Sequence, residues 1–186
     1  MKVGILRVGK VDSNVLERVC ENLRITFPEA EFNLTPKRLA VPEEAFDKLR
    51  SQYCSDILLN AIRSYAEKAR TLNRVLGVVD VDIFVPGLNF VFGEADCPGK
   101  AALISLWRLK PEFYGLPCNM EVFVDRSTKE AVHELGHTLG LEHCVNPFCV
   151  MYFSNSIFET DRKKSLFCNK CYVKVQTFME AFGEKC

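Results

Sequence analysis

Histidine is scarce in this chain of 186 residues, and its three copies are His133, His137 and His143. They stand in the string His133-Glu134-Leu135-Gly136-His137-Thr138-Leu139-Gly140-Leu141-Glu142-His143. On a helix, residues four apart lie on one face a turn from each other, so His133 and His137 can direct two imidazoles at one cation. Gly140 tolerates the positive φ that closes a helix in a left-handed cap, after which the chain can turn and bring His143 back as a third ligand. Three neutral nitrogens leave a fourth tetrahedral position for water, which is how a catalytic zinc is held, whereas a zinc kept for stability alone would leave Glu134 without a purpose. Glu134, on the same flank, is placed to take a proton from water activated at that position and to pass it to a leaving group. The chemistry these residue types allow is hydrolysis.

A second metal-ligating set follows directly. Cys144, Cys149, Cys168 and Cys171 fall within 28 residues and offer four thiolates, the closed set that a structural zinc prefers. A redox Cys-x-x-Cys reading of Cys168 and Cys171 leaves Cys144 and Cys149 unexplained. Two zinc ions per chain, one catalytic and one structural, are therefore expected, and they should be neighbours because Cys144 abuts His143. The other five cysteines, Cys20, Cys54, Cys97, Cys118 and Cys186, are scattered and read as small buried hydrophobes. Nine cysteines cannot all pair within one chain, which favours free or metal-bound thiols in a reducing compartment.

Elements must position these groups. Ser127-Thr128-Lys129-Glu130 has the form of a capping box and predicts that the helix carrying His133 and His137 begins at Ser127. Before it, Val3 to Val8 reads as a strand, Ser13 to Phe27 as an amphipathic helix, and Phe32 to Leu34 as a short strand, with Pro36 and Pro42 punctuating a loop. A longer helix covers Asp56 to Ala69, the run Val75 to Val85 suits a buried strand, and Leu88 to Ala95, Ala101 to Leu106 and Glu121 to Val124 are further strand candidates. Trp107 is expected to pack in the core or between the lobes rather than to serve as a substrate platform. The charged run Asp161-Arg162-Lys163-Lys164 reads as a solvated loop, and Val173 to Phe182, with Val175, Phe178, Met179 and Phe182 at helical spacing, as a helix packing back on the core. Mixed strands and helices predict an α+β, mixed α/β fold in one domain: an N-terminal lobe over about 1–140 and a C-terminal lobe over about 141–186, small enough to need a metal staple.

Composition limits the partners. With 48% hydrophobic and 26% charged residues the chain resembles ordinary globular proteins, and no apolar run reaches the roughly 18 residues of a membrane span. Lys plus Arg and Asp plus Glu both number 24, and no basic stripe exists to neutralise phosphates, so nucleic acid and membranes are not expected partners. Met1 to Val8 carries charge within a short apolar stretch, unlike a secretory signal, so a cytoplasmic location is expected.

The histidine string resembles that of the metzincin clan of metallopeptidases, and Met151 suits its Met-turn. Cys144 directly after the third histidine, Cys149-Val150-Met151, and Cys168-Asn169-Lys170-Cys171 resemble the archaemetzincin family within that clan. The resemblance implies a twisted mixed sheet with packed helices, an active-site helix and a small lower lobe. It also implies a zinc metallopeptidase acting on a peptide or protein substrate, with an edge strand such as Leu88 to Ala95 pairing with an extended peptide. Gly93 there allows close backbone approach. Several branches of the clan place a tyrosine two residues after the Met-turn methionine; here that place is Phe153, with Tyr152 one residue earlier. The expected activity is peptide-bond hydrolysis by a zinc-bound water activated by Glu134. The alternatives are a zinc-stapled peptide- or protein-binding module with little turnover, and hydrolysis of another amide or ester.

Overall fold

The computed structural model describes residues 1–183. In chain order the elements are β1 (Lys2–Val8), α1 (Ser13–Thr26), β2 (Glu31–Leu39), β3 (Phe46–Asp47), β4 (Gln52–Cys54), α2 (Ser55–Lys68), β5 (Arg74–Val79), β6 (Ile83–Phe84), β7 (Gly93–Ala95), β8 (Ala101–Ser105), α3 (Met120–Thr138), α4 (Ile157–Arg162) and α5 (Asn169–Gly183). The main sheet has the order β2-β1-β5-β8-β7, parallel except for its last member, and β3-β4-β6 form a smaller sheet. This is a mixed α/β fold.

Parallel strands covered on both faces must be apolar on both faces, and β5 and β8 are buried along their whole length. Alternate residues feed two cores. Ala102 and Ile104 on β8 and Leu76 and Val78 on β5 join α1 and α3 on one face, while Ala101, Leu103, Val75 and Val79 join α2 on the other. The antiparallel strand β7 forms the edge beside α3, and this places the site.

The structure corrects several expectations. The helix carrying His133 and His137 starts seven residues before Ser127, at Met120, where Asn119 accepts a hydrogen bond from the backbone of Val122. Ser127 and Thr128 instead donate to the carbonyls of Phe123 and Val124, the i−4 back-bonding by which hydroxyl residues are accommodated inside a helix. Glu121 to Val124 is accordingly helical, not a strand. The capping box lies elsewhere, between Ser156 and Glu159 at the start of α4.

The run Val75 to Val85 breaks into β5 and β6 because Asp80 and Asp82 are drawn aside by Lys110 and Arg108, at 2.7 and 2.6 Å. Pro36 lies inside β2, tolerated because β2 is an edge strand with a register irregularity opposite it. Only Gly93–Ala95 of the candidate Leu88 to Ala95 joins the sheet; the carbonyls of Leu88 and Asn89 are taken by the Arg50 guanidinium. Trp107 is 42% exposed, its ring under Lys110, rather than in the core. Cys20 is buried as expected, but Cys54 is half-buried and Cys97 and Cys118 are exposed; Cys186 and the side chain of Phe182 lie outside the described residues.

Candidate active site

α3 ends where the string requires. Gly140 has φ 84°, and its N–H donates to the carbonyl of His137 while that of Leu141 donates to Gly136, the paired bonds of a Schellman cap. The turn delivers His143, and the possible ligand atoms of His133, His137 and His143 lie within 4.8 Å of one another. His133 Nδ1 is 2.7 Å from the carbonyl of Val150 and His137 Nδ1 2.7 Å from that of Leu141. A carbonyl only accepts, so both Nδ1 atoms carry the proton and both Nε2 atoms present lone pairs. Those Nε2 atoms face each other at 3.1 Å. Two acceptors so close repel unless a cation lies between them, and two nitrogens on one tetrahedral zinc are separated by about 3.3 Å. The donors fit such an ion. Burial, before any neighbouring charge, pushes the affinity of all three rings for a proton down, which keeps them neutral as ligands must be.

Glu134 is 4% exposed and its Oε2 has no protein hydrogen-bond partner. Burial, then the nearby Glu130, raises its pKa well above the usual carboxylate range. The edge strand packs directly on it: a Cβ added at Gly93 would stand 2.6 Å from Glu134 Oε1. Gly93 therefore serves a close approach, but to Glu134. Together α3, β7 and the turn after Met151 enclose a cleft of about 390 Å³ that includes the three histidines, Glu134, Phe92 and Phe153. The Phe153 ring lies 4.8 Å from that of His143.

Beside this cleft, the Sγ atoms of Cys144, Cys149, Cys168 and Cys171 also lie within 4.8 Å of one another, those of Cys144 and Cys168 at 3.8 Å. Two thiolates on a tetrahedral zinc are about 3.8 Å apart. The backbone N–H groups of Asn146 and Cys168 point at Cys144 and Cys149 sulfurs, as they do around thiolates. A backbone N–H of Cys171 leads the influences that bring the Cys168 thiol down to about 7, while burial pushes the thiols of Cys149 and Cys171 up, so a thiolate at those two calls for a cation beside it. The two sets are joined: the N–H of Cys144 donates to the carbonyl of Met151, and Met151 is fully buried against Gly136, where an added Cβ would collide with its sulfur.

Other residues at the cleft were not apparent from the sequence. Glu130, Ser154 and Asn155 line it, and Lys163, from the run expected to be solvated, is buried 3.0 Å from Glu130. Asp161, from the same run, makes a bidentate pair with Arg126 at 2.7 Å. The signal that could have found them is Ser156-x-x-Glu159, which starts α4 and turns Ile157 and Thr160 inward.

The family model described as peptidase family M54 matches residues 8–177. An archaemetzincin of Methanocaldococcus jannaschii is 44% identical over 176 residues, covering 95% of this chain and 93% of that one. The crystal structure of archaemetzincin from Methanopyrus kandleri superposes with a TM-score of 0.84 at 38% identity, covering 97% of this chain and 96% of the other. A structure titled as a zinc-dependent peptidase from Methanocorpusculum labreanum gives 0.84 at 29% identity over 92% of this chain and 98% of its own. Matched along nearly all its length in both sequence and fold, the chain belongs to peptidase family M54, the archaemetzincins, a family of zinc metallopeptidases.

Proposed function

We propose that this chain hydrolyses peptide bonds with His133, His137 and His143 as ligands of a catalytic zinc and Glu134 as general base, while Cys144, Cys149, Cys168 and Cys171 hold a second, structural zinc. The observation that carries this reading is the approach of His133 Nε2 and His137 Nε2 to 3.1 Å, with both Nδ1 atoms on carbonyls, beside the buried, partnerless Glu134 Oε2. A zinc held there supplies Lewis acidity to a substrate carbonyl and lowers the pKa of water at its open position.

The chain's own groups do the rest. Burial that raises the affinity of Glu134 for a proton suits it to remove one from water and to return it to the departing amine. Glu134 Oε2, buried with no protein partner, has its acceptor capacity free for that proton. The exposed edge of β7 offers backbone donors and acceptors to an extended peptide laid across the cleft. We further propose one catalytic domain, with a lobe over about 1–140 and a lobe over about 141–186 stapled by the second metal. Among the described residues no helix is long and apolar enough to cross a membrane. A reducing cytoplasm suits a site built of four thiols.

Replacing Glu134 by Ala tests the reading. Turnover of a quenched peptide library should fall about 10²- to 10⁴-fold with both metals and the circular dichroism spectrum retained. Unchanged turnover would end it, and a native chain holding two zinc ions that cleaves no peptide would leave a binding module instead.

A further inference from the structure

The cleft contains a second buried carboxylate. Glu130 lies one turn before Glu134 on α3, so the two side chains share a face at about 5–6 Å, and both line the cleft. Glu130 is 3% exposed. Its Oε1 accepts from Thr160 Oγ1 at 3.0 Å and lies 3.0 Å from Lys163 Nζ, whose side chain is fully buried. Desolvating both ends of such a pair offsets most of its attraction, and apolar residues of like volume often serve stability as well. α4 is in any case already tied to α3 by Arg126 and Asp161. The pair therefore calls for a reason beyond the fold, and its place on the cleft wall points to substrate.

The neighbouring groups indicate which kind. Ser154 Oγ is buried with no protein partner, and Asn155 lines the cleft beside it. The wall formed by the segment before and along β7 is mainly apolar, with Val85, Leu88, Phe90, Val91 and Phe92, and carries Asn89 and Glu94 as its polar members. Glu130, Ser154 and Asn155 thus give the cleft hydrogen-bonding groups, and Lys163 offsets the charge of Glu130. A carboxylate only accepts, so the complementary group must donate. An acidic side chain would face Glu130, a basic one would add a second cation next to Lys163, and an apolar one would leave Ser154 Oγ without a partner and the acceptor capacity that Glu130 retains beyond Thr160 and Lys163 unused. The separation of Glu130 from Glu134 is less than two residue lengths of an extended peptide, so the side chain involved flanks the scissile bond.

We infer that Glu130, with Lys163 as its buried counter-charge, is a substrate-binding residue that selects peptides with Ser, Thr, Asn or Gln beside the bond to be cleaved. The inference rests on the peptidase reading above and deepens it.

The experiment uses peptide pairs differing at that one position, Asn against Leu, Gln against Met and Thr against Val. Their dissociation constants are measured by calorimetry on the zinc-loaded Glu134→Ala chain. The donor-bearing member should bind at least about 10-fold tighter. Adding Glu130→Met and Lys163→Met together, which removes both charges at similar volume, should reduce the ratio to about 2-fold or invert it. Pairs that bind equally to the Glu134→Ala chain, or a preference that survives the double replacement in a folded chain with both metals, would overturn the inference. If the double variant does not fold, Glu130→Gln serves instead: the preference should shrink, and an undiminished one overturns the inference. Turnover by the chain with Glu134 intact separates the two ideas. Equal cleavage of both members removes the selectivity and leaves the peptidase, whereas selective binding with no cleavage of any peptide leaves the selectivity and removes the peptidase.

Discussion

At the scale of the residue, two carboxyl groups at the cleft, Glu94 and Glu134, have their proton affinities raised chiefly by burial. Glu94 on β7 faces Ser55, Asp56 and Arg63 of α2; burial, moderated by Ser55 and opposed to ionisation by Asp56, brings its pKa from 4.5 to about 7. A folded value above the unfolded one means that the protonated group favours the fold. Its contribution is complete below about 4.5 and is lost as pH rises through about 7. Glu94→Gln should therefore stabilise the chain at pH 8 by about 1 kcal/mol, after discounting for water at a partly exposed site, and leave it little changed at pH 4.5. Urea denaturation at the two pH values checks this; equal effects at both would show that the carboxyl has the same pKa in the folded and unfolded chain.

At the scale of the element, α3 is the part on which the site depends. Its start was misread because Ser127-Thr128-Lys129-Glu130 satisfies the local rule for a cap, while the hydroxyls in the folded chain bond back to the preceding turn and Glu130 bonds to α4. Its end was readable, since a Schellman cap is a local structure requiring only Gly140. Asn119→Ala should cost about 1 kcal/mol of stability through loss of the true cap, measured by thermal denaturation, and a null effect would put the helix start elsewhere. Gly136→Ala tests the packing beneath. Helix propensity alone favours alanine by about 1 kcal/mol, but the added Cβ meets the sulfur of the fully buried Met151, and overpacking of about 1–3 kcal/mol should win. A more stable Gly136→Ala chain would show that Met151 has room to move.

At the scale of the whole molecule, residues after Gly140 contribute helices and loops but no strand among those described, and they reach the core through Leu141, Cys149, Val150, Met151, Ile157, Cys171 and Val175, with Phe167, Phe178 and Met179 packed against it. To that apolar contact the proposed metal on four thiolates would add an apparent binding energy on the order of 10 kcal/mol. Cys168→Ser should lose one zinc, lower the melting temperature and also lower kcat/KM, because Cys144 is both a proposed ligand of that zinc and the chain neighbour of His143, its N–H donating to the Met151 carbonyl. Loss of one zinc with full activity would show that the two sites are independent.

What the sequence determined by itself were relations carried by a few neighbouring residues: the shared helical face of His133 and His137, the turn at Gly140, the amphipathic helices α1 and α2, the buried strands β1 and β8, and from these the mixed α/β class. Tertiary structure decided everything that joins distant segments. That Glu134 rests on Gly93, that a lysine in a run of charges is buried beneath Glu130, and that Trp107 is turned out to solvent follow from how the sheet edge, α3 and α4 pack. The physical reason is that hydrogen-bond periodicity and backbone sterics act within a turn or two, whereas the burial of a charge depends on which partner the fold brings to it.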